Sequence, residues 1–243
     1  MGVERKSQLE GDYVVEGLSA IMEYAKFTPE KIKKIYVIPK MYDKVLRSLA
    51  PHLSKDRLKE IREKEVDKNK QDVVPVHAII AHKISEWEEF SHKLKKKNLN
   101  RLMILDQVTD TRNLGAIIRS AAFFGCQAVL VMKRRQTLLT QAAVSTAQGG
   151  FAHVDFVAVT NLSRLIRDLK EHEFWIIGAD VNGEDIASIR RDFEKIVLVL
   201  GAEDTGISEN VRKHCDLLAK IPSKSGLDSL NVSVAAGIFL FEF

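Results

Sequence analysis

Cysteine is scarce in this chain, with only Cys126 and Cys215 among 243 residues. The two lie far apart, outside any CxxC pair and without a histidine at metal-ligand spacing, so the pattern argues against a disulfide framework or thiolate metal site and predicts two buried free thiols. Long apolar runs are missing as well. No segment reaches the roughly 20 residues of a membrane span, and residues 1–11 are polar and charged, without the apolar core of a signal peptide. The expected location is the cytoplasm, with no membrane partner. No GxGxxG follows an apolar strand, so a dinucleotide site of the ordinary kind has no support. Fixed-period repeats and low-complexity tracts are absent, and the histidines predict no metal site: His77 and His82 are five apart on a strand-like run and face opposite sides.

What is present suits a globular protein. Hydrophobic residues make up 45% of the chain, ample for packed cores, and the formal net charge of +4 is compatible with a polyanionic partner without requiring one. The first part alternates a helical pattern (17–25), an apolar strand (35–38), charged helices (41–65) and a β-branched run (73–81), which predicts a small α/β domain over 1–84. Residues 85–99 are strongly charged, with Lys93, Lys95, Lys96 and Lys97 crowded together, and read as a linker. Beyond it, 101–105, 128–132, 175–178, 196–200 and 217–221 read as short buried strands separated by helices. That alternation predicts a mostly parallel sheet over 100–243, with ligands held beyond the carboxyl ends of its strands.

Three polar clusters sit beside these apolar elements. Asn113-Leu114-Gly115-Ala116-Ile117-Ile118-Arg119 opens a helix that ends near Gly125. Asn113 reads either as an N-cap or as a site residue, and Arg119 either as a solvated helix residue or as a guanidinium that grips phosphate or ribose. Gly201-Ala202-Glu203-Asp204-Thr205-Gly206-Ile207 joins a buried strand to a helix starting at Ser208. Its glycines suit an ordinary turn, but a turn has no need of Glu203, whose carboxylate is placed to hold the loop amides or an asparagine such as Asn113. Ile221-Pro222 ends a strand, and Ser229-Leu230-Asn231-Val232-Ser233 opens the last helix. Ser229 is a natural cap, whereas Asn231 on an otherwise apolar helix is placed to bind a substrate or a partner loop. Two basic stretches, at Lys93 to Lys97 and Lys133-Arg134-Arg135, read either as solvated surface or as phosphate contacts.

In this order and spacing the three clusters resemble the SpoU (TrmH) family of RNA ribose 2′-O-methyltransferases, over about the whole of 101–243 and more faintly before it. The resemblance implies a SPOUT-type α/β domain, its mostly parallel sheet completed by a C-terminal trefoil knot, an exception to the rule against threaded chains. It implies S-adenosylmethionine bound in a bent form by backbone groups at Gly201, Ile221 and Leu230. It also implies a homodimer with the knots at the interface, so that Asn113 and Arg119 work close to the neighbouring subunit. Residues 13–24 and 73–81 look like the small RNA-binding domain of the family's two-domain ribosomal branch, which makes a guanosine of large-subunit (23S) rRNA the expected target. Three positions depart from the family pattern. Ser223 replaces the methionine usual after Ile-Pro, Gln148-Gly149-Gly150-Phe151 is atypical, and the small domain's His-Gln-Gly signature is not intact near His77.

The family's chemistry places Arg119 at the attacking 2′-hydroxyl. A guanidinium with a pKa above about 12 is a poor free base and a better stabiliser of a developing alkoxide. Ser229 and Asn231 would orient the ribose or Arg119, and Glu203 would brace Asn113. Two other readings stay open: a tRNA or an rRNA adenosine as target, and a catalytically silent RNA-binding assembly factor with the same fold.

Overall fold

The structure is a computed structural model that describes residues 10–58, 61–63, 74–96, 99–133, 139–189 and 192–243. Two sheets organise it. The smaller has the order β1 (Glu10–Glu16), β4 (Val76–Lys83), β2 (Ile32–Val37), β3 (Ile61–Glu63), with β4 antiparallel to both neighbours and β2 parallel to β3. Burial alternates strictly along β4 from Val76 to His82, so one face packs and the other meets solvent. The packed face carries Ile35, Val37, Ala78 and Ile80 against α1 (Leu18–Phe27) and α2 (Tyr42–Leu49).

The larger sheet has seven strands, and every neighbouring pair runs parallel. Its order is β11 (Leu217–Lys220), β9 (Trp175–Asp185), β10 (Ile196–Leu200), β6 (Arg101–Leu105), β7 (Ala128–Met132), β8 (Asp155–Val159), β5 (Ser85–Glu86). The central strands are buried on both faces, which explains their uninterrupted apolar sequences. Alternate residues feed two cores. Met103, Leu105, Val129 and Leu198 face α5 (Thr111–Phe123), α6 (Gln141–Ala147) and α9 (Val232–Glu242), in a core continuous with that of the small lobe. Leu102, Ile104, Val197 and Val199 face α4 (Trp87–Lys96), α7 (Leu162–Glu171) and α8 (Glu209–Arg212).

Several sequence expectations need adjustment. Residues 85–99 contain β5, which pairs with β8, and α4, whose Phe90 is fully buried. Charge on the outward face of an amphipathic helix had the look of a linker. Lys93 ion-pairs with Asp155 at 2.9 Å, while Lys97, Arg134 and Arg135 lie outside the described residues. The helical reading of 41–65 resolves into α2, a single turn α3 (Lys55–Leu58) and β3, with residues 59–60 and 64–65 outside the described residues, as is Val73. Strands β1 and β8 had no counterpart in the sequence reading: β1 buries only Val15 fully and so lacks an apolar pattern. Cys126 is buried as expected, whereas Cys215 is only half-buried; burial pushes both thiols up to about 12. His77 is half-buried and His82 buried, on opposite faces of β4.

Candidate active site

Strands β6 and β10 are neighbours at the centre of the large sheet, with β7 and β8 beyond β6 and β9 and β11 beyond β10. A reversal of strand order between parallel neighbours opens a crevice at their carboxyl ends. The loop after β10 carries Gly201 and Glu203, the loop after β6 leads into α5 with Asn113 and Arg119, and buried Asp106 ties the two loops together. Its amide donates to Leu200 O at 2.8 Å and its Oδ2 accepts from Ser208 N at 2.8 Å. Sequence reasoning passed over Asp106, although an acid directly after four buried strand residues was a readable signal.

Helix α5 is capped by Asp110 rather than Asn113. Asp110 Oδ1 accepts from the amides of Asn113 at 2.9 Å and Arg112 at 2.7 Å, which hold its carboxyl below the usual range. Asn113 therefore stands in the first turn with its amide side chain available. Helix α9 is capped by Asn231 rather than Ser229, through Asn231 Oδ1 and Ser233 N at 3.0 Å. The two asparagines meet on Glu203. Glu203 Oε1 accepts from Asn113 Nδ2 at 2.9 Å, Asn231 Nδ2 at 2.7 Å and Val232 N at 3.3 Å. Asn231 Nδ2 also reaches Asn113 Oδ1 at 3.1 Å. One carboxylate oxygen thus joins the starts of α5 and α9 to the loop after β10, each donor strengthened by the acceptor's charge.

Beside this node lies a cavity of about 980 Å³, walled by residues 179–182, 200–207 and 219–230. Gly201, Ile221 and Leu230 all line it, as do Glu203 and Ser229. The loop 201–207 doubles back on itself: Ala202 N donates to Gly206 O at 3.1 Å and Gly206 N to Ala202 O at 2.9 Å. A Cβ on Gly201 would come within 1.9 Å of the Gly206 carbonyl carbon, so glycine is required there by close backbone approach. The lining also holds an ion pair that the sequence did not suggest, Arg212 Nε to Asp180 Oδ2 at 3.3 Å. The cavity's size and its mixed lining, apolar side chains interspersed with loop backbone and polar groups, fit a nucleoside-sized ligand.

Arg119 is not among the residues that wall the cavity. It stands about 9 Å beyond Asn113 along α5 and about 240° around it. Its Nη1 donates to Gln148 Oε1 at 2.6 Å, at the end of α6. The structure therefore gathers Asn113, Glu203, Asn231, Ser229, Gly201, Ile221 and Leu230 around one crevice and leaves Arg119 on a separate flank of the same protomer.

Residues 100–241 match the SpoU rRNA Methylase family. The chain is similar to the 23S rRNA (guanosine-2′-O-)-methyltransferase RlmB of Nitrosomonas europaea, 36% identical over 236 residues, covering 93% of this chain and 88% of the relative. It is also similar to RlmB of Haemophilus ducreyi, 34% identical over 235 residues, covering 94% and 95%. Among solved structures, the SpoU methyltransferase AviRb of Streptomyces viridochromogenes in complex with AdoMet superposes with a TM-score of 0.73 at 18% identity, over 100% of this chain and 92% of that one, a likeness of fold.

Proposed function

The chain belongs to the SpoU rRNA methylase family, and from that footing we propose that it transfers a methyl group from S-adenosylmethionine to the ribose 2′-hydroxyl of a guanosine in large-subunit ribosomal RNA, in the cytoplasm. The observation that carries this reading is the node of Asn113, Glu203 and Asn231 at the edge of the cavity. The guanosine target rests on the relatives named for it, which match nearly the whole length of the chain. We also read the turn from residue 221 to α9, which lines the cavity together with loop 201–207, as part of the family's trefoil knot.

When bound, S-adenosylmethionine supplies an electrophilic methyl on a sulfonium; it would pass that methyl to the ribose oxygen and leave as a neutral thioether, with the hydroxyl proton taken up by solvent. Backbone groups at Gly201, Ile221 and Leu230 hold the donor, and Ser229 orients the ribose. Glu203 fixes Asn113 and Asn231, and so fixes the starts of α5 and α9 relative to the cavity. Arg119 stabilises the negative charge that develops on the ribose oxygen.

A homodimer reconciles Arg119 with the cavity. Helix α9 is apolar on nearly every side, and Val234 and Phe241 on it are 51% and 72% exposed; Phe123 on α5 is 83% exposed. A helix apolar all round is made to be covered on both sides. A second copy seated there buries these side chains and brings Arg119 near its partner's crevice. The small lobe, which we assign to residues 1–84, with β5 and α4 joining residues 100–243 in the methyltransferase domain, presents exposed Lys34, Lys40, Lys44 and Arg47 to RNA phosphates.

The test is radiolabelled methyl transfer from S-adenosylmethionine to unmodified large-subunit rRNA and to bulk tRNA in parallel, followed by nuclease mapping. Label in one rRNA guanosine ribose is the expected result. Label confined to tRNA overturns the target, and no label in either, including a ribosomal precursor, overturns the activity.

A further inference from the structure

The turn that follows α6 is pressed between two parts of the molecule. On one side it meets α5 at the backbone of Arg119: a Cβ on Gly150 would stand 3.1 Å from Arg119 Cα and 3.2 Å from Ile118 O. On the other it meets α1 of the small lobe. A Cβ on Gly149, whose φ is +91°, would stand 3.0 Å from both Ala20 O and Glu23 Cβ. His153, just beyond, bonds Glu23 at 2.7 Å and packs its ring on Phe27 with centroids 4.2 Å apart. The turn is therefore held from both sides by close backbone contact.

Gln148 opens this turn in a left-handed conformation, φ 44° and ψ 53°, at the position that ends α6. Glycine or asparagine suits such a position, and a glutamine there carries a conformational cost. Its side chain accepts the short 2.6 Å hydrogen bond from Arg119 Nη1. An exposed arginine on a helix otherwise samples many rotamers.

We infer that Gln148 is a positioning residue for Arg119, its Oε1 holding the guanidinium in one orientation from a turn clamped between α5 and the small lobe. The inference rests on the proposed methyl transfer and on Arg119's part in it. A pre-set guanidinium loses less freedom when the ribose arrives, so its removal bears on the chemical step and not on donor binding. Seating of α1 on Gly149 places a contact with the small lobe one residue from this bond.

Stability and activity should move in opposite directions in one variant. Gln148→Gly relieves the left-handed backbone and is expected to raise the melting temperature, while kcat falls about tenfold and KM for S-adenosylmethionine stays unchanged. Gln148→Glu keeps the acceptor oxygen and is expected to retain the wild-type kcat within about twofold. In an Arg119→Ala background, Gln148→Gly is expected to cost nothing further, because its effect passes through the missing guanidinium. Full kcat in Gln148→Gly, beside a disabled Arg119→Ala, overturns this inference and leaves the methyltransferase reading intact. Undiminished transfer by Arg119→Ala overturns this inference together with Arg119's part in the reaction, while the methyl transfer itself stands. A fall in kcat and melting temperature together in Gln148→Gly overturns positioning in favour of a packing role.

Discussion

Two polar clusters in this molecule are built from comparable parts and stand in opposite surroundings. Asn113, Glu203 and Asn231 meet at the edge of an open cavity, near water, and are held to one another by charge-assisted hydrogen bonds. Tyr24 and His82 meet where the small lobe packs on the large one. The Tyr24 hydroxyl and His82 Nε2 are 2.8 Å apart, and the His82 ring has Tyr13, Tyr24 and Phe151 edge-on within 6 Å. Burial first, and the charge of Lys31 second, push the His82 pKa down to about 3, so the ring is neutral; burial pushes the Tyr24 phenol up. An exposed node is free to face substrate because water stands in for any bond it lacks. A buried pair has no such substitute, so it serves packing and must be complete. Activity should follow the first cluster and stability the second.

The sharpest break in that contrast comes from Glu203→Ala, which removes the shared acceptor and lets α5, α9 and loop 201–207 shift against one another. Methyl transfer should fall by on the order of a hundredfold in kcat, with a melting temperature near the wild-type value. A proportionate collapse in melting temperature would mean that the node is structural. Next is Tyr24→Phe, which leaves His82 Nε2 buried without its partner and should destabilise by about 1–3 kcal/mol in urea titration. Its kcat at a temperature where it stays folded should be unchanged; a kcat loss like that of Glu203→Ala would erase the distinction.

His82 adds a pH dependence. Its folded pKa of about 3 lies below the unfolded value near 6.5. Between those values the unfolded chain binds a proton that the folded one does not. Stability from this group is complete above the unfolded pKa and declines as pH falls toward the folded one, with a slope of up to about 1.4 kcal/mol per pH unit. Denaturation curves from pH 7 to pH 4 should be flatter in His82→Gln by about that slope, and equal slopes in the two proteins would sink the assignment. The smallest effect belongs to Glu203→Gln, which keeps an acceptor at Oε1 and removes only the charge. A loss in kcat of about fivefold is expected, and a loss as deep as that of Glu203→Ala would show that charge, rather than the bonds to the two asparagines, is what the site requires.

Much of the large lobe was legible in the residues. Strands β6, β7 and β10 fall where the apolar runs lie, because a strand buried on both faces has no polar residue to blur its limits. The small lobe was less legible for the opposite reason. Half-buried strands such as β1 carry polar residues on one face, and in the large lobe the charged outer face of α4 hid Phe90 beneath it in the same way. The caps show the same limit. Asp110 and Asn231, rather than Asn113 and Ser229, close the helix starts, since capping turns on backbone geometry that several polar residues in a row can satisfy.

By itself the sequence determined the family, the central parallel strands and the three polar clusters, because these follow from apolar patterning and from residue types in a fixed order along the chain. Only the tertiary structure decided how they meet. It brought Asn113 and Asn231 onto a single carboxylate oxygen of Glu203 across 90 and 28 positions of sequence, tied the two loops through Asp106, and turned Arg119 toward Gln148. Those arrangements depend on strand order and helix rotation, which are set by packing between distant elements and leave no local trace in the residues that end up in contact.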